Sequence, residues 1–220
     1  MASRQAALPS EFAVFPLDGA LLLPRGRLPL NIFEPRYLRM VDDALGGGRV
    51  IGMVQPDPVR GVTPTGPALY RTGCLGRITS FSETEDGRYL VTLTGLTRFW
   101  TGVELEVARG YRRVRADFAR FVADVAPVDE EDGSEIDRKR LLAGLKSYFT
   151  AQGFDAKWDS INEMDDDALV TTLAMVCPFE ASEKQALLEA PALRDRADAL
   201  TALLEMGTYA GEPGDMGRAS

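Results

Sequence analysis

A change of hydrophobic period near residue 127 constrains this 220-residue chain more than any other feature. Before it, apolar residues come in short runs of period near two, punctuated by glycine, proline and Asp-Gly, as strands require. After it, they recur at three- and four-residue spacing, as amphipathic helices require. Strands followed by helices imply an α+β chain in which sheet and helices are segregated. Charge changes at the same place. Residues 1–126 hold 16 arginines, no lysine and 13 acids, a net of +3, whereas residues 127–220 carry a net of −11. The expected division is a strand-rich domain over 10–126, a helical bundle over 133–206 and a disordered tail over 207–220. The opposite charges should draw the two lobes together.

Within the first part, expected strands cover 12–15, 28–33, 50–54, 74–81, 88–94, 99–107 and 111–118. Asp86-Gly87 is the strongest hairpin signal. The stretch from Gln55 to Pro67 contains four prolines and reads as a surface loop outside any central sheet. Glu34-Pro35 opens a helix: proline suits the first helical position and Glu34 faces the positive helix end. Tyr37, Leu38, Val41 and Leu45 continue it until Gly46-Gly47-Gly48. In the second part, capping boxes are expected at Ser134/Asp137 and Ser182/Gln185. Gly153 ends the first of these helices, another spans 165–177, and a last one opens at Pro191 and stops at Gly207. Trp158, Ile161 and Met164 are expected to be buried between helices.

Composition excludes most catalytic classes. With no histidine, a Ser-His-Asp triad, a Cys-His dyad and an H-E-x-x-H zinc site cannot be drawn. No Gly-Lys dipeptide exists, so there is no phosphate-binding loop of the Gly-x-x-x-x-Gly-Lys type. Lys146 and Ser147 are sequence neighbours on a helix and their side chains diverge, so they form no activated pair. The acidic runs 129–132 and 165–167 lack the alternation of a calcium loop and read as a solvated linker and a helix first turn. Cys74 and Cys177, unclustered, read as buried apolar residues of a reducing compartment. No apolar run approaches the ~20 residues of a membrane span, and residues 1–7 lack a signal-peptide core. The expectation is a cytoplasmic, membrane-free protein with no catalytic residues, no metal and no cofactor.

Four ordered motifs carry a family resemblance. Phe15-Pro16-Leu17, Leu23-Pro24 and Leu28-Pro29-Leu30 lead to Ile32-Phe33-Glu34-Pro35-Arg36-Tyr37. Gly73-Cys74-Leu75-Gly76-Arg77-Ile78, Asp86-Gly87-Arg88-Tyr89 and Gly95-Leu96-Thr97-Arg98-Phe99 follow. Together they closely resemble the N-terminal substrate-binding domain of the Lon protease family over roughly 115 residues. Arg25 is a departure, standing after Pro24 where many members have glycine. The resemblance implies a PUA-like antiparallel pseudo-barrel followed by helices, in a free-standing member without ATPase or peptidase parts. It implies unfolded or extended polypeptides as partners, with an ATP-dependent protease or chaperone alongside. Candidate peptide contacts are Leu30, Phe33, Tyr70, Phe99 and Trp100. Glu34, Pro35, Arg36, Tyr37 and Arg98 read as structural motif residues, a helix cap and ion pairs. The alternative is an RNA-binding PUA-like module using Arg109, Arg112, Arg113, Arg115 and Arg120. The acidic balance of the whole chain argues against it.

Overall fold

A computed structural model describes residues 8–126 and 136–210. The chain divides into two compact units, 1–127 and 128–220.

The first unit is built on strands β1 (Glu11–Pro16), β2 (Arg27–Ile32), β3 (Val50–Val54), β6 (Thr72–Glu83), β7 (Tyr89–Ala108) and β8 (Tyr111–Asp117). Their order is β2-β7-β6-β3-β1-β8, and β8 also pairs with β7, curling the sheet into the PUA-like pseudo-barrel. The barrel is not wholly antiparallel. Strands β1 and β3 run parallel, with Val14 beside Gly52, because β2 and helix α1 (Pro35–Gly46) supply the crossover that a parallel pair needs. The proline-rich loop stays out of the main sheet and carries a two-stranded ribbon, β4 (Val62–Thr63) with β5 (Gly66–Pro67), and a bridge between Pro56 and Leu69.

Two expected strands, 88–94 and 99–107, are one. Strand β7 runs for 20 residues and passes Gly95 through an irregularity against Leu75 and Gly76. A Cβ on Gly95 would stand 2.0 Å from the Leu23 carbonyl oxygen, so glycine there lets the first loop cross the strand. That loop turns through Arg25 at φ +66, a left-handed conformation glycine adopts more freely. The core centres on Phe99, which meets Phe12 edge-on at a centroid distance of 5.0 Å. Its ring lies against the bare Cα atoms of Gly52 and Gly73: a Cβ on Gly73 would come within 2.5 Å of Cζ.

The second unit holds α2 (Arg138–Gln152), α3 (Trp158–Glu163), α4 (Asp166–Val176), α5 (Ala181–Glu189) and α6 (Leu193–Ala210). Helix α2 packs chiefly on α6 through Leu141, Leu145, Leu200 and Leu204, all buried. Arg140 also reaches across to both oxygens of Glu205 at 2.8 Å. Several helix starts differ from the sequence reading. Asp137 itself caps α2, accepting from the Arg140 N–H, while Ser134 lies outside the described residues. The box on α5 is Glu180 with Glu183, displacing Ser182 and Gln185 into the helix. The last helix begins two residues after Pro191, where Asp195 accepts from the Ala192 N–H. It does not stop at Gly207 but continues to Ala210, and the missing Cβ makes room for the Tyr148 ring: a Cβ there would stand 2.5 Å from Cε2. The 207–220 tail is thus helical at its start, and 211–220 lie outside the described residues. Trp158, Ile161 and Met164 are half-buried, with α3 forming where only a connector was expected.

Candidate functional site

Strand β2 is an edge, and Pro29 removes one donor from it. Beside it the β6–β7 hairpin turns at Glu85-Asp86-Gly87, with Gly87 at φ +78. Thr84 and Arg88 close this turn through their backbones, and Asp86, held at about pKa 2 by Arg88 and Thr84, braces it. At the distal ends of these three strands the face bearing Asn31, Ser82 and Leu90 is exposed, whereas Ile32 and Val91 on the opposite face are buried. On one face Leu30, Val91 and Phe81 form a row across β2, β7 and β6, with Tyr89 edge-on to Phe81 at 4.9 Å. On the other, Leu90 pairs with Asn31, and Phe33 follows two residues on. Phe33 is 64% exposed, Leu90 46% and Phe81 40%, an unusual set of large apolar side chains on an ordered sheet. Tyr89 anchors the apron to α1 by donating to Asp42 at 3.0 Å, a bond that raises the tyrosine pKa.

The five candidate contacts are therefore not one surface. Leu30 and Phe33 lie at this apron, on its opposite faces. Tyr70 and Trp100 lie half-buried where β6 begins beside the middle of β7, the Arg71 carbonyl accepting from the Thr101 N–H. Phe99 lies on no surface: it is fully buried, because Gly52 and Gly73 make room for it inside the barrel. Sequence reasoning missed Phe81, Tyr89 and Leu90. The available signal was their position flanking the Asp86-Gly87 turn, where Tyr89 alone of the three reaches α1, through Asp42.

The motif residues take structural places. Pro35 opens α1 and Glu34 precedes it, but the Glu34 side chain makes no cap hydrogen bond. Arg36 holds that carboxylate at 2.8 Å, and its guanidinium lies over Tyr37, itself packed on Phe15. Arg98 is buried against Asp124, gripping it through Nε and NH2 while its backbone N–H donates to the same carboxylate. This pair clamps the 3-10 segment Ala119–Val125 onto β7.

The arginine cluster is largely committed. Arg109 pairs with Asp43 at 2.5 Å and Arg115 with Glu11 at 2.6 Å, with Arg113 3.7 Å from the same glutamate. Arg112 is buried against Glu104 and the Pro67 carbonyl, and Arg120 lies 4.1 Å over Trp100. What remains is a neutralised strand face. A cleft of about 430 Å³ opens between β1, β8 and the end of α1, floored by Phe12, Met40, Ala44 and Val50. Its acids are occupied too, Asp43 by Arg109 and the Tyr111 hydroxyl, Glu11 by Arg115.

Both cysteines are buried thiols. Burial pushes Cys177 up to about 11, opposed in part by Lys184, so it is a poor nucleophile. Among the described residues no group of His, Cys, Asp and Glu could hold a metal ion, and no helix is long and apolar enough to cross a membrane.

Residues 11–206 match the family described as the ATP-dependent protease La (LON) substrate-binding domain. The Lon protease of Dictyoglomus thermophilum is 23% identical over 202 residues, covering 88% of this chain and 24% of that protein. The chain spans about a quarter or less of the length of the curated relatives it matches. Two solved structures share the fold. A Lon N-terminal domain protein from Xanthomonas campestris aligns with a TM-score of 0.59 at 21% identity, covering 88% of this chain and 98% of that one. The N-terminal domain of a Mycobacterium avium complex Lon protease aligns with a TM-score of 0.61 at 16% identity, covering 88% and 97%.

Proposed function

This chain belongs to the ATP-dependent protease La (LON) substrate-binding domain family, and we propose that it is a non-catalytic module that binds unfolded or extended polypeptide at the apron formed by β2, β7 and β6. The observation that carries this reading is the exposure, at one ordered sheet end, of Phe33 and Leu90 on one face and Phe81 on the other. Each apolar Å² covered contributes about 25 cal/mol, so a few hundred Å² supply only weak attraction after ordering costs, on the order of micromolar or weaker. Such contacts are sequence-tolerant, which suits a partner recognised by exposed apolar segments. Work alongside an ATP-dependent protease or chaperone in the cytoplasm follows from the same reading, and the two buried thiols suit a reducing compartment. RNA binding is the weaker alternative, since Arg109, Arg112, Arg113 and Arg115 already face carboxylates.

The test places serine at Phe33, Phe81 and Leu90 together, positions whose exposure spares the core. A labelled unfolded polypeptide should bind the native chain saturably and the triple variant at least about tenfold more weakly, as loss of roughly 1.4 kcal/mol of apolar contact requires. Undiminished binding by a folded triple variant would remove the apron from the account.

A further inference from the structure

A second cavity, of about 230 Å³, lies away from the apron, where the proline-rich loop meets the middle of β7. Arg60, Thr63, Arg71, Thr101 and Glu104 line it. Its charge balance differs from that of the arginine strand. Neither Arg60 nor Arg71 has a carboxylate within ion-pair distance among the described residues. Arg60 is steadied by one hydrogen bond to the Leu69 carbonyl at 3.1 Å, leaving its other donors available. Arg71 is exposed, with its guanidinium 5.8 Å from the Trp100 ring centroid. The single acid in the lining, Glu104, is already held by Arg112 and by the Thr65 hydroxyl at 2.8 Å.

Thr101 supplies the independent observation. The residue is 8% exposed, and its Oγ1 is a buried polar atom with no hydrogen-bond partner among the described residues. A buried hydroxyl left unmet is costly, and rotation about the Thr101 Cα–Cβ bond toward an acceptor in the cavity would relieve it. Two guanidinium groups without acidic partners, an unmet hydroxyl and a neutralised carboxylate describe a receptor for a compact anion. The volume is below that of ordinary drug-sized pockets, which run from about 300 Å³ upward. We propose that this cavity is an oxyanion site that takes a phosphate-type group through Arg60, Arg71 and Thr101. The group comes either as the free anion or on a phosphorylated side chain. Guanidinium forks match tetrahedral oxyanions in charge and geometry.

The indole N–H signals of the two tryptophans give the readout, assigned with Trp100→Phe. Inorganic phosphate is titrated into the full chain at constant ionic strength, with chloride as the matched control. The Trp100 signal should shift saturably with phosphate and not with chloride, while Trp158 stays still. Arg71→Gln and Arg60→Gln should each weaken binding about tenfold, the loss of one charge-assisted hydrogen bond. Thr101→Val, nearly isosteric, should weaken binding while holding or raising the thermal midpoint, because it removes an unmet polar atom. A short polar peptide carrying phosphoserine is the second arm: tighter binding than phosphate assigns the site to phosphorylated polypeptide, and equal or weaker binding assigns it to the free anion. No saturable shift, the same shift with chloride, or full phosphate affinity in the Arg60→Gln, Arg71→Gln double variant would overturn the proposal. None of these outcomes bears on the apron, which the serine variants test separately.

Discussion

Arg98 and Asp124 show how much one pair of residues can decide. Their side chains are 5% and 7% exposed, and removing either partner strands the other as a buried charge. Arg98→Ala or Asp124→Ala should each cost about 3–5 kcal/mol in denaturant unfolding. Cys177 carries a pH signature. Its thiol titrates at about 11 in the fold against an ordinary 9.0, so the fold favours the protonated form. That contribution is complete below pH 9 and is lost as pH rises through 11. The thermal midpoint of the native chain should therefore fall more steeply over that interval than that of Cys177→Ala. At this scale the sequence was half legible. Arg98 was readable as a motif residue, but its partner stands 26 positions away in a segment without regular period. Phe99 looked like a contact residue because the glycines that bury it, Gly52 and Gly73, belong to other strands. A strand's own alternation does not say which neighbour has left room.

Elements were legible in kind more often than in extent. Period and punctuation identified the Asp86-Gly87 hairpin, helix α1 and the stop of α2 at Gly153. What failed were choices between chemically equivalent caps. Ser182 and Glu180 both sit three residues before an acid or amide, and the chain uses Glu180. Gly95 and Gly207 read as breaks, yet each is a point of close approach inside a continuing element. Gly207→Ala should accordingly destabilise the helical unit by about 1–3 kcal/mol through its clash with Tyr148, well beyond any gain in helix propensity. Asp165 accepts from the Ala168 N–H at the start of α4, and Asp165→Ala should cost about 0.5–2 kcal/mol. Urea unfolding followed by helical circular dichroism reads both. The acidic run at 165–167 is thus explained by capping and by the helix dipole.

For the whole molecule, family and fold were readable because four motifs occur in order, whereas the proposed binding surface was not. The apron depends on what fails to cover the β6–β7 hairpin, and beyond the Asp86-Gly87 turn that absence leaves no mark in the hairpin's own sequence. Of the proposed apron, Leu30 and Phe33 stand in the family string, whereas Phe81 and Leu90 are marked only by their exposure. The chain alone is expected to show neither ATP turnover nor casein cleavage, and either activity following the purified protein peak would contradict the non-catalytic reading. The central claim is that polypeptide is recognised through apolar surface. Titrating labelled unfolded protein and labelled RNA into the native chain, each at low and moderate salt, tests it most directly. Apolar contact should give saturable polypeptide binding that moderate salt leaves nearly unchanged, with no comparable RNA binding. RNA binding with a steep salt slope, and none to unfolded protein, would contradict the account.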